Sequence, residues 1–382
     1  MRIALVTDTY EPQVNGVTTV VRRIAHALHA TGVAVTVVAP AYPEGGDPVP
    51  GELRIPSIPF PPYPAIRLSV PAARRVGRHL SAFAPDVVHV ATEGPLGLVG
   101  RAFALRHGVP LVTSYHTDFP RYCRHYGAGA LEPAVWRWLL WFHRPARLTH
   151  TPGEFVCQEL RHRGLGRAVV WGRGVDCHWF TPARDGGPWR RRLGVQPGGA
   201  LVLHVGRLAP EKNLETLWHS WTLARAALGR RAMFVVAGDG PMGPRLEAKM
   251  PWSRRLGFLN RAELAGLYAA ADVCVLPSAT ETCGLVALEA MAAGVPVIAA
   301  DAGGLRESVH HGVNGLLAHP ADPRAFAAEL VELVMEDSRR RALGEGARRF
   351  ALTRDVTLED EMLLDQYRAV AGAPTSEAVC AA

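Results

Sequence analysis

Two cations stand close together in the segment Val205-Gly206-Arg207-Leu208-Ala209-Pro210-Glu211-Lys212-Asn213. An apolar strand pattern ends at Val205 and a helical pattern starts near Lys212, so Arg207 and Lys212 project from a strand end and a helix start. That is a good place to hold a diphosphate. The Arg fork takes two oxygens, the Lys ammonium adds a compact charge, and the helix start adds its amide dipoles. A lysine at a helix start opposes the helix dipole. The chain also prefers arginine heavily, with 40 Arg against two Lys, Lys212 and Lys249. Lys212 is therefore hard to read as one more surface residue.

A second cluster is Pro277-Ser278-Ala279-Thr280-Glu281-Thr282-Cys283-Gly284-Leu285-Val286-Ala287-Leu288-Glu289-Ala290-Met291. A strand pattern ends at Pro277, a helix begins near Gly284, and Gly294 and Pro296 stop it. Glu281 falls in the loop ahead of this helix and Glu289 falls inside it. Eight helical steps amount to ~80° of net rotation and ~12 Å of rise, a spacing at which two carboxylates touch two ends of one elongated ligand. Carboxylates accept hydrogen bonds from sugar hydroxyls. Either acid alone is an ordinary helix feature; their company with Arg207 and Lys212 gives them weight.

Two candidates lie in the first half. Asp8-Thr9-Tyr10-Glu11-Pro12-Gln13-Val14-Asn15-Gly16-Val17 follows the first strand pattern. A loop ending in Asn-Gly before a helix presents backbone N–H groups to a ligand, and a plain Asn15 helix cap is the alternative. It is not a GxGxxG fingerprint, which counts against a nicotinamide or flavin enzyme. Thr113-Ser114-Tyr115-His116-Thr117-Asp118 follows another strand and puts His116 at its end as a hydrogen-bond donor. With sixteen histidines in the chain, a structural role is equally open.

The elements that must position these residues alternate. Strands are expected over 2–7, 33–39, 86–91, 109–113, 147–151 and 168–171, with helices over 17–30, 71–83, 95–107, 132–143 and 153–163 between them. Eight prolines in 42–64 read as a loop with an edge strand. Turn chemistry fills 176–199, and the alternation restarts with strands over 200–205, 232–237, 254–258, 272–276 and 295–300. Helices fit 212–227, 243–250, 261–270, 285–293, 303–310, 322–335, 337–350 and 357–370. Near-continuous apolar strands alternating with amphipathic helices mean parallel sheets covered on both faces. The fold class is α/β, with two Rossmann-like doubly wound domains whose ligands bind where the strands end, in the cleft between them. The expected division is a domain over 1–180, a linker over 181–199, a domain over 200–352, a helix over 353–371 returning to the first domain, and a disordered tail over 372–382.

Composition narrows the partners. The net charge of +7 is uneven: residues 1–190 carry 21 Arg against 13 acids, and residues 191–382 carry 21 basic residues against 22 acids. The basic half either faces something anionic or reflects surface drift. No nucleic-acid module accompanies it. Six cysteines without a CxxC pair fit reduced thiols, no apolar run is long enough to span a membrane, and the apolar start at Met1–Val6 is too short for a signal peptide. Two segments suit a bilayer surface: Arg67 to Arg78, and Ala134 to Arg144 with Trp136, Trp138 and Trp141. The alternative for the second is a helix packed on the sheet by a buried aromatic face.

Taken together, these residues resemble the retaining glycosyltransferases of family 4, which have the two-domain GT-B fold with a deep cleft. The resemblance runs along nearly the whole chain. It implies that Arg207 and Lys212 bind the donor diphosphate, and that Glu281 and Glu289 form the E-x7-E motif, the first meeting the donor sugar and the second the ribose. It places Gly16 against the donor phosphate and His116 in the cleft. Asp239 and Gly240 of Gly238-Asp239-Gly240-Pro241, with Leu259 near the base, border the nucleotide; Cys283, Gly284 and Leu285 line the donor site, and Gly303-Gly304 and Asn314-Gly315 complete the pattern. Asp8, Tyr10, Asn15, Tyr115 and His116 fall on the acceptor side. In the first half, Thr7-Asp8-Thr9-Tyr10, Asn15-Gly16-Val17, His89 to Gly97 and Ser114 to Thr117 look like bacterial α-mannosyltransferases using GDP-mannose, and are similar to sulfoquinovosyl-diacylglycerol synthases using UDP-sulfoquinovose. Cys283 stands where the family usually has Phe, which would enlarge the sugar pocket.

The resemblance implies a hexosyltransferase that retains anomeric configuration, needs no cofactor, and takes GDP-mannose or a UDP-sugar as donor. No Asp-x-Asp loop offers to hold a metal, so none is expected. The expected acceptor is a lipid or saccharide, with an anionic membrane surface as a further partner and a cytoplasmic, membrane-peripheral location. A nucleotide-sugar epimerase and a non-catalytic binding protein are the rival readings.

Overall fold

The computed structural model describes residues 1–13, 15–43, 50–60, 63–70, 72–125, 127–171 and 174–372. The chain divides into two compact units, one of Met1–Arg124, Ala128–Gly172 and the return from Glu359, the other of Arg173–Leu358 with the short segment His125–Gly127.

The first unit is built on β1 (Arg2–Val6), β2 (Ala34–Pro40), β3 (Glu52–Ile55), a hairpin of β4 (Ser57–Phe60) and β5 (Tyr63–Ser69), then β6 (Val87–Val90), β7 (Leu111–Ser114), β8 (Leu148–Thr151) and β9 (Ala168–Val170). Seven of these form one sheet in the order β3-β2-β1-β6-β7-β8-β9. Each neighbouring pair is parallel. The order reverses between β1 and β6. The proline-rich stretch holds more strand than the expected single edge, because β4 and β5 pair antiparallel in a separate two-stranded sheet.

The second unit repeats the plan with β10 (Ala200–Val205), β11 (Ala232–Ala237), β12 (Arg254–Arg255), β13 (Val273–Leu276), β14 (Val297–Ala300) and β15 (Gly315–Ala318). Its order is β12-β11-β10-β13-β14-β15, all parallel. The switch falls between β10 and β13. Both faces are covered, so β10, β13 and β14 are wholly buried, which is why they read as unbroken apolar runs.

Two boundaries differ from expectation. Val175, Cys177 and Phe180 sit in the second core rather than the first. The turn-rich segment 181–199 contains the helix Gly187–Leu193, whose Arg190 guanidinium donates to the Ala270 carbonyl at 2.8 Å and to Asp272 at 2.7 Å. These two charge-assisted hydrogen bonds and the burial of Leu193 in the second core make the helix part of the second unit. The last helix runs Val356–Gly372, and its Leu363, Tyr367 and Val370 pack in the first core with Ile3, Leu5 and Val112. The expected tail lies, from residue 373 on, outside the described residues. Among the described residues no helix is long and apolar enough to cross a membrane.

Candidate active site

Three loops at the carboxyl ends of strands of the second unit converge on one place. After β10 the chain makes a 3-10 turn at Pro210–Lys212, Asn213 takes a left-handed conformation at φ 51°, and the helix Leu214–Leu228 starts two residues later than expected. Lys212 therefore precedes this helix rather than opening it. After β13 the loop 277–284 leads into the helix Leu285–Ala292 through Gly284 at φ 68°. Glu281 lies on the loop, so only the last four of the eight steps to Glu289 are helical, and the geometry expected for eight does not apply. Asn213 joins the two loops: its amide donates to the carbonyls of Pro277 at 3.1 Å and Pro320 at 2.7 Å. The hydroxyls of Ser278 and Thr280 each donate to the Glu211 carbonyl at 3.0 Å.

The result is two ion pairs side by side in sequence. Lys212 Nζ donates to Glu281 Oε1 at 2.5 Å, with both side chains 22% exposed. Arg207 pairs with Glu211, whose side chain is 2% exposed against 39% for the arginine. Behind them His204 is buried, its Nδ1 facing the Val275 carbonyl at 2.8 Å. Burial lowers its pKa to about 4, with Lys212 adding to the effect. Glu289 is half-buried and accepts from the Tyr268 hydroxyl at 3.1 Å; burial raises its pKa to about 7.

The glycine motifs hold the loops against each other. A Cβ on Gly238, at φ 130°, would stand 2.0 Å from the Gly206 carbonyl oxygen, and one on Gly304 would stand 2.4 Å from the Thr282 carbonyl oxygen. Only glycine allows that approach. The Gly304 amide in turn donates to the Glu281 carbonyl at 2.7 Å. Asp239 accepts from the Phe258 amide at 2.8 Å, which fixes the loop bearing Leu259; Leu259 itself packs on the core. Cys283 is buried and Leu285 partly buried at the start of its helix. Asn314 is a turn residue: it accepts from the His310 amide at 2.6 Å and donates to the Ser308 carbonyl at 2.9 Å, leading into β15.

In the first unit the same topological place is used differently. The Asp8 carboxylate accepts from the amides of Leu96 at 2.7 Å and Gly97 at 3.2 Å, and from the Thr92 hydroxyl at 2.7 Å. It thus caps the helix Pro95–His107 that follows β6. Asn15 caps the helix Gly16–Ala30 by accepting from the Thr18 amide at 2.8 Å. Tyr10 is buried under the Arg54 guanidinium, 4.8 Å from its ring centre, and burial raises its pKa to about 12. Tyr115 is buried, its ring stacked on Trp136 and its hydroxyl directed at Asp118. His116 Nε2 is buried with no hydrogen-bond partner among the described residues, and burial lowers the His116 pKa to about 4. Among the described residues nothing fills the position Gly16 leaves open: a Cβ there would meet no atom within 4 Å.

Sequence reasoning overlooked Glu211, Asn213, Ser278, Thr280, Tyr268 and His204. Glu211 and Asn213 flank Lys212 and carried a signal, as a carboxylate and an amide on the loop that follows β10. Tyr268 and His204 carried none, because each sits in an ordinary helix or strand pattern. Among the described residues no three His, Cys, Asp or Glu side chains gather as a metal-binding group.

Two doubly wound units, one with paired charges at its switch point, define a GT-B glycosyltransferase architecture. A structure of HepE from Anabaena in complex with UDP superposes with a TM-score of 0.78 at 21% identity, covering 97% of this chain and 100% of that one. Residues 14–179 match the family model described as Glycosyltransferase Family 4, and residues 199–336 match that described as Glycosyl transferases group 1. A GDP-mannose-dependent alpha-mannosyltransferase of Mycolicibacterium smegmatis is 38% identical, covering 97% of this chain and 98% of the relative. A sulfoquinovosyl transferase of Arabidopsis thaliana is 34% identical over 76% of this chain and 58% of the relative. The chain belongs to glycosyltransferase family 4. It is a nucleotide-sugar-dependent glycosyltransferase.

Proposed function

We propose that the chain transfers mannose from GDP-mannose, with retention of configuration, to a hydroxyl of a lipid or saccharide acceptor. The observation that carries this reading is the full-length likeness to a GDP-mannose-dependent enzyme together with an intact Lys212–Glu281 pair at the switch point. The second unit takes the donor and the first takes the acceptor. Transfer breaks the bond from the anomeric carbon to the phosphate oxygen and forms one to the acceptor oxygen. The acceptor proton passes to the departing phosphate, which serves as the base in same-face attack. Negative charge grows on the diphosphate, and Arg207 and Lys212 stabilise it. Glu281 accepts from the sugar hydroxyls, Glu289 from the ribose, and Leu259, Asp239 and Gly240 border the base. Cys283, Gly284 and Leu285 shape the sugar pocket. Gly16 leaves room for a phosphate oxygen, and neutral His116 presents its unpartnered nitrogen to the sugar or the acceptor. Tyr10, Tyr115 and Asn15 shape that side from within the fold.

A lipid acceptor and an anionic membrane surface are supported by one face of the helix Glu132–His143. Trp136 on this helix is buried, yet Trp138 is 39% and Trp141 48% exposed, with Arg137 and Arg144 exposed on the same side. The helix Ala73–Phe83 exposes Arg74, Arg75 and Arg78. Such a protein would lie on the inner face of the plasma membrane.

The decisive measurement is a thermal-shift panel of GDP, UDP, GDP-mannose and UDP-sugars, followed by product analysis with lipid and soluble acceptors. GDP and GDP-mannose should raise the melting temperature most and yield a mannosylated product. A larger shift with UDP-sugars would move the assignment to the UDP-dependent branch. Co-sedimentation with anionic vesicles at low salt checks the membrane surface.

A further inference from the structure

The two carboxylates beside the cation pair are held in different ways. Glu211 is closed off from solvent, while its partner Arg207 is 39% exposed. Its own carbonyl receives the hydroxyls of Ser278 and Thr280, so residue 211 is pinned by the very loop that carries Glu281. A buried carboxylate that leaves an arginine gives up compensation for its desolvation. Lys212 and Glu281 are equally and partly exposed, and Glu281 rides on a loop. Such a pair is worth only about 1 kcal/mol and can be exchanged for a more highly charged partner.

We propose that the two carboxylates divide the work: Glu211 is a positioning residue that fixes the Arg207 guanidinium for the donor diphosphate, whereas Glu281 is a placeholder on Lys212 that the diphosphate displaces. The exchange releases the Glu281 carboxylate to accept from the sugar hydroxyls at the moment the diphosphate docks. Sugar recognition is thereby tied to diphosphate binding, and a free hexose meets a carboxylate already engaged by Lys212. This inference rests on the donor-diphosphate reading of Arg207 and Lys212.

The two roles predict opposite signs. Glu281→Gln removes the competitor for Lys212, so GDP should bind about fivefold tighter, the equivalent of one partly exposed ion pair. Turnover of GDP-mannose by the same variant should fall, because the sugar loses its acceptor. Glu211→Gln keeps the shape but leaves Arg207 unanchored, so GDP should bind about tenfold weaker and KM for the donor should rise more than kcat falls. In an Arg207→Ala background, Glu211→Gln should add nothing to the GDP affinity, since it acts through that arginine. Titration calorimetry with GDP, UDP and pyrophosphate reads all three variants. If both carboxylate variants tighten GDP binding, simple repulsion explains them, and if both weaken it Glu281 is no placeholder; either result overturns the division of work. If Glu211→Gln does not fold, Glu281→Gln decides: unchanged or weaker GDP binding overturns the exchange. A wild-type protein that turns over a nucleotide sugar yet shows this failure retains the donor reading. One that binds none of the three probes loses both.

Discussion

The two units share a sheet order and a switch point, yet treat their helix starts in opposite ways. In the first unit the chain closes them itself. Asn15 caps one helix, and Asp8 reaches across from β1 to the amides of Leu96 and Gly97 at the start of the other. In the second unit the residues at the two helix starts, Asn213 and Gly284, are both left-handed, and neither makes a side-chain capping bond among the described residues. The cations of the second unit stand there instead, each beside a carboxylate. A helix start closed by its own carboxylate is a structural joint; one left open among exchangeable charges suits an anionic ligand. Under the proposed function, this comparison accounts for two copies of one topology dividing into a scaffold side and a donor side.

The largest test removes the charge of the open side. Lys212→Ala should lower kcat/KM by about two to three orders of magnitude, the scale of losing a charge-stabilising donor at a leaving group. The melting curve should barely move, since Lys212 is not a core residue. Near-normal turnover would break the comparison at its strongest point.

The closed side should respond in stability instead. Asp8→Ala strands two amides and a hydroxyl in the first unit and should cost about 3 kcal/mol, at roughly 1 kcal/mol for each lost partner. A denaturant titration reads the loss directly. The same change should leave GDP affinity untouched if the division between the units is right.

Acid should weaken the first unit next. His89 and His150 are buried, with His89 between Tyr367 and Ser114 at 2.5 and 2.7 Å and His150 on Gln366 at 2.8 Å. Burial lowers both pKa values, that of His150 to about 3. Above pH 6.5 both folded and unfolded chains hold these rings neutral. Below it only the unfolded chain gains protons, so stability falls as pH falls, by about 2 kcal/mol for His150 at pH 5. His89 acts in the same direction. Urea midpoints between pH 7.5 and 5 measure this, and His150→Gln should flatten the slope.

The smallest effect concerns Glu289. With its pKa raised to about 7, the carboxylate is only partly ionised near neutrality. An ionised acceptor holds a ribose hydroxyl better, so donor affinity should improve a few-fold as pH rises through 7. In Glu289→Gln the KM for donor should lose that dependence.

How far the sequence reached varies with the kind of feature. Strands β1, β10 and β11 were legible to the residue or nearly so, because a strand buried on both faces must be apolar throughout. Strand β15 escaped, since Gly315–Ala318 is four residues long and enters from a turn. The helix Gly187–Leu193 escaped because its glycine and proline signals belong equally to a linker. Of the candidate site, residues such as Arg207, Lys212, Glu281 and Glu289 were visible by type and spacing. Glu211 was visible as a letter, yet nothing local says that a glutamate between a proline and a lysine is buried.

The sequence by itself determined the two α/β units, the positions of their strand ends and the residue types that stand there. Those follow from periodicity and from chemistry carried by single side chains. Tertiary structure alone decided which charges pair, which carboxylate is buried, and which helix start is closed. Apart from local contacts such as the Asn15 cap, those depend on loops far apart in the chain meeting at a switch point, Lys212 with Glu281 in the second unit and Asp8 with Leu96 in the first. Burial and pairing are properties of that meeting, and no local pattern encodes them.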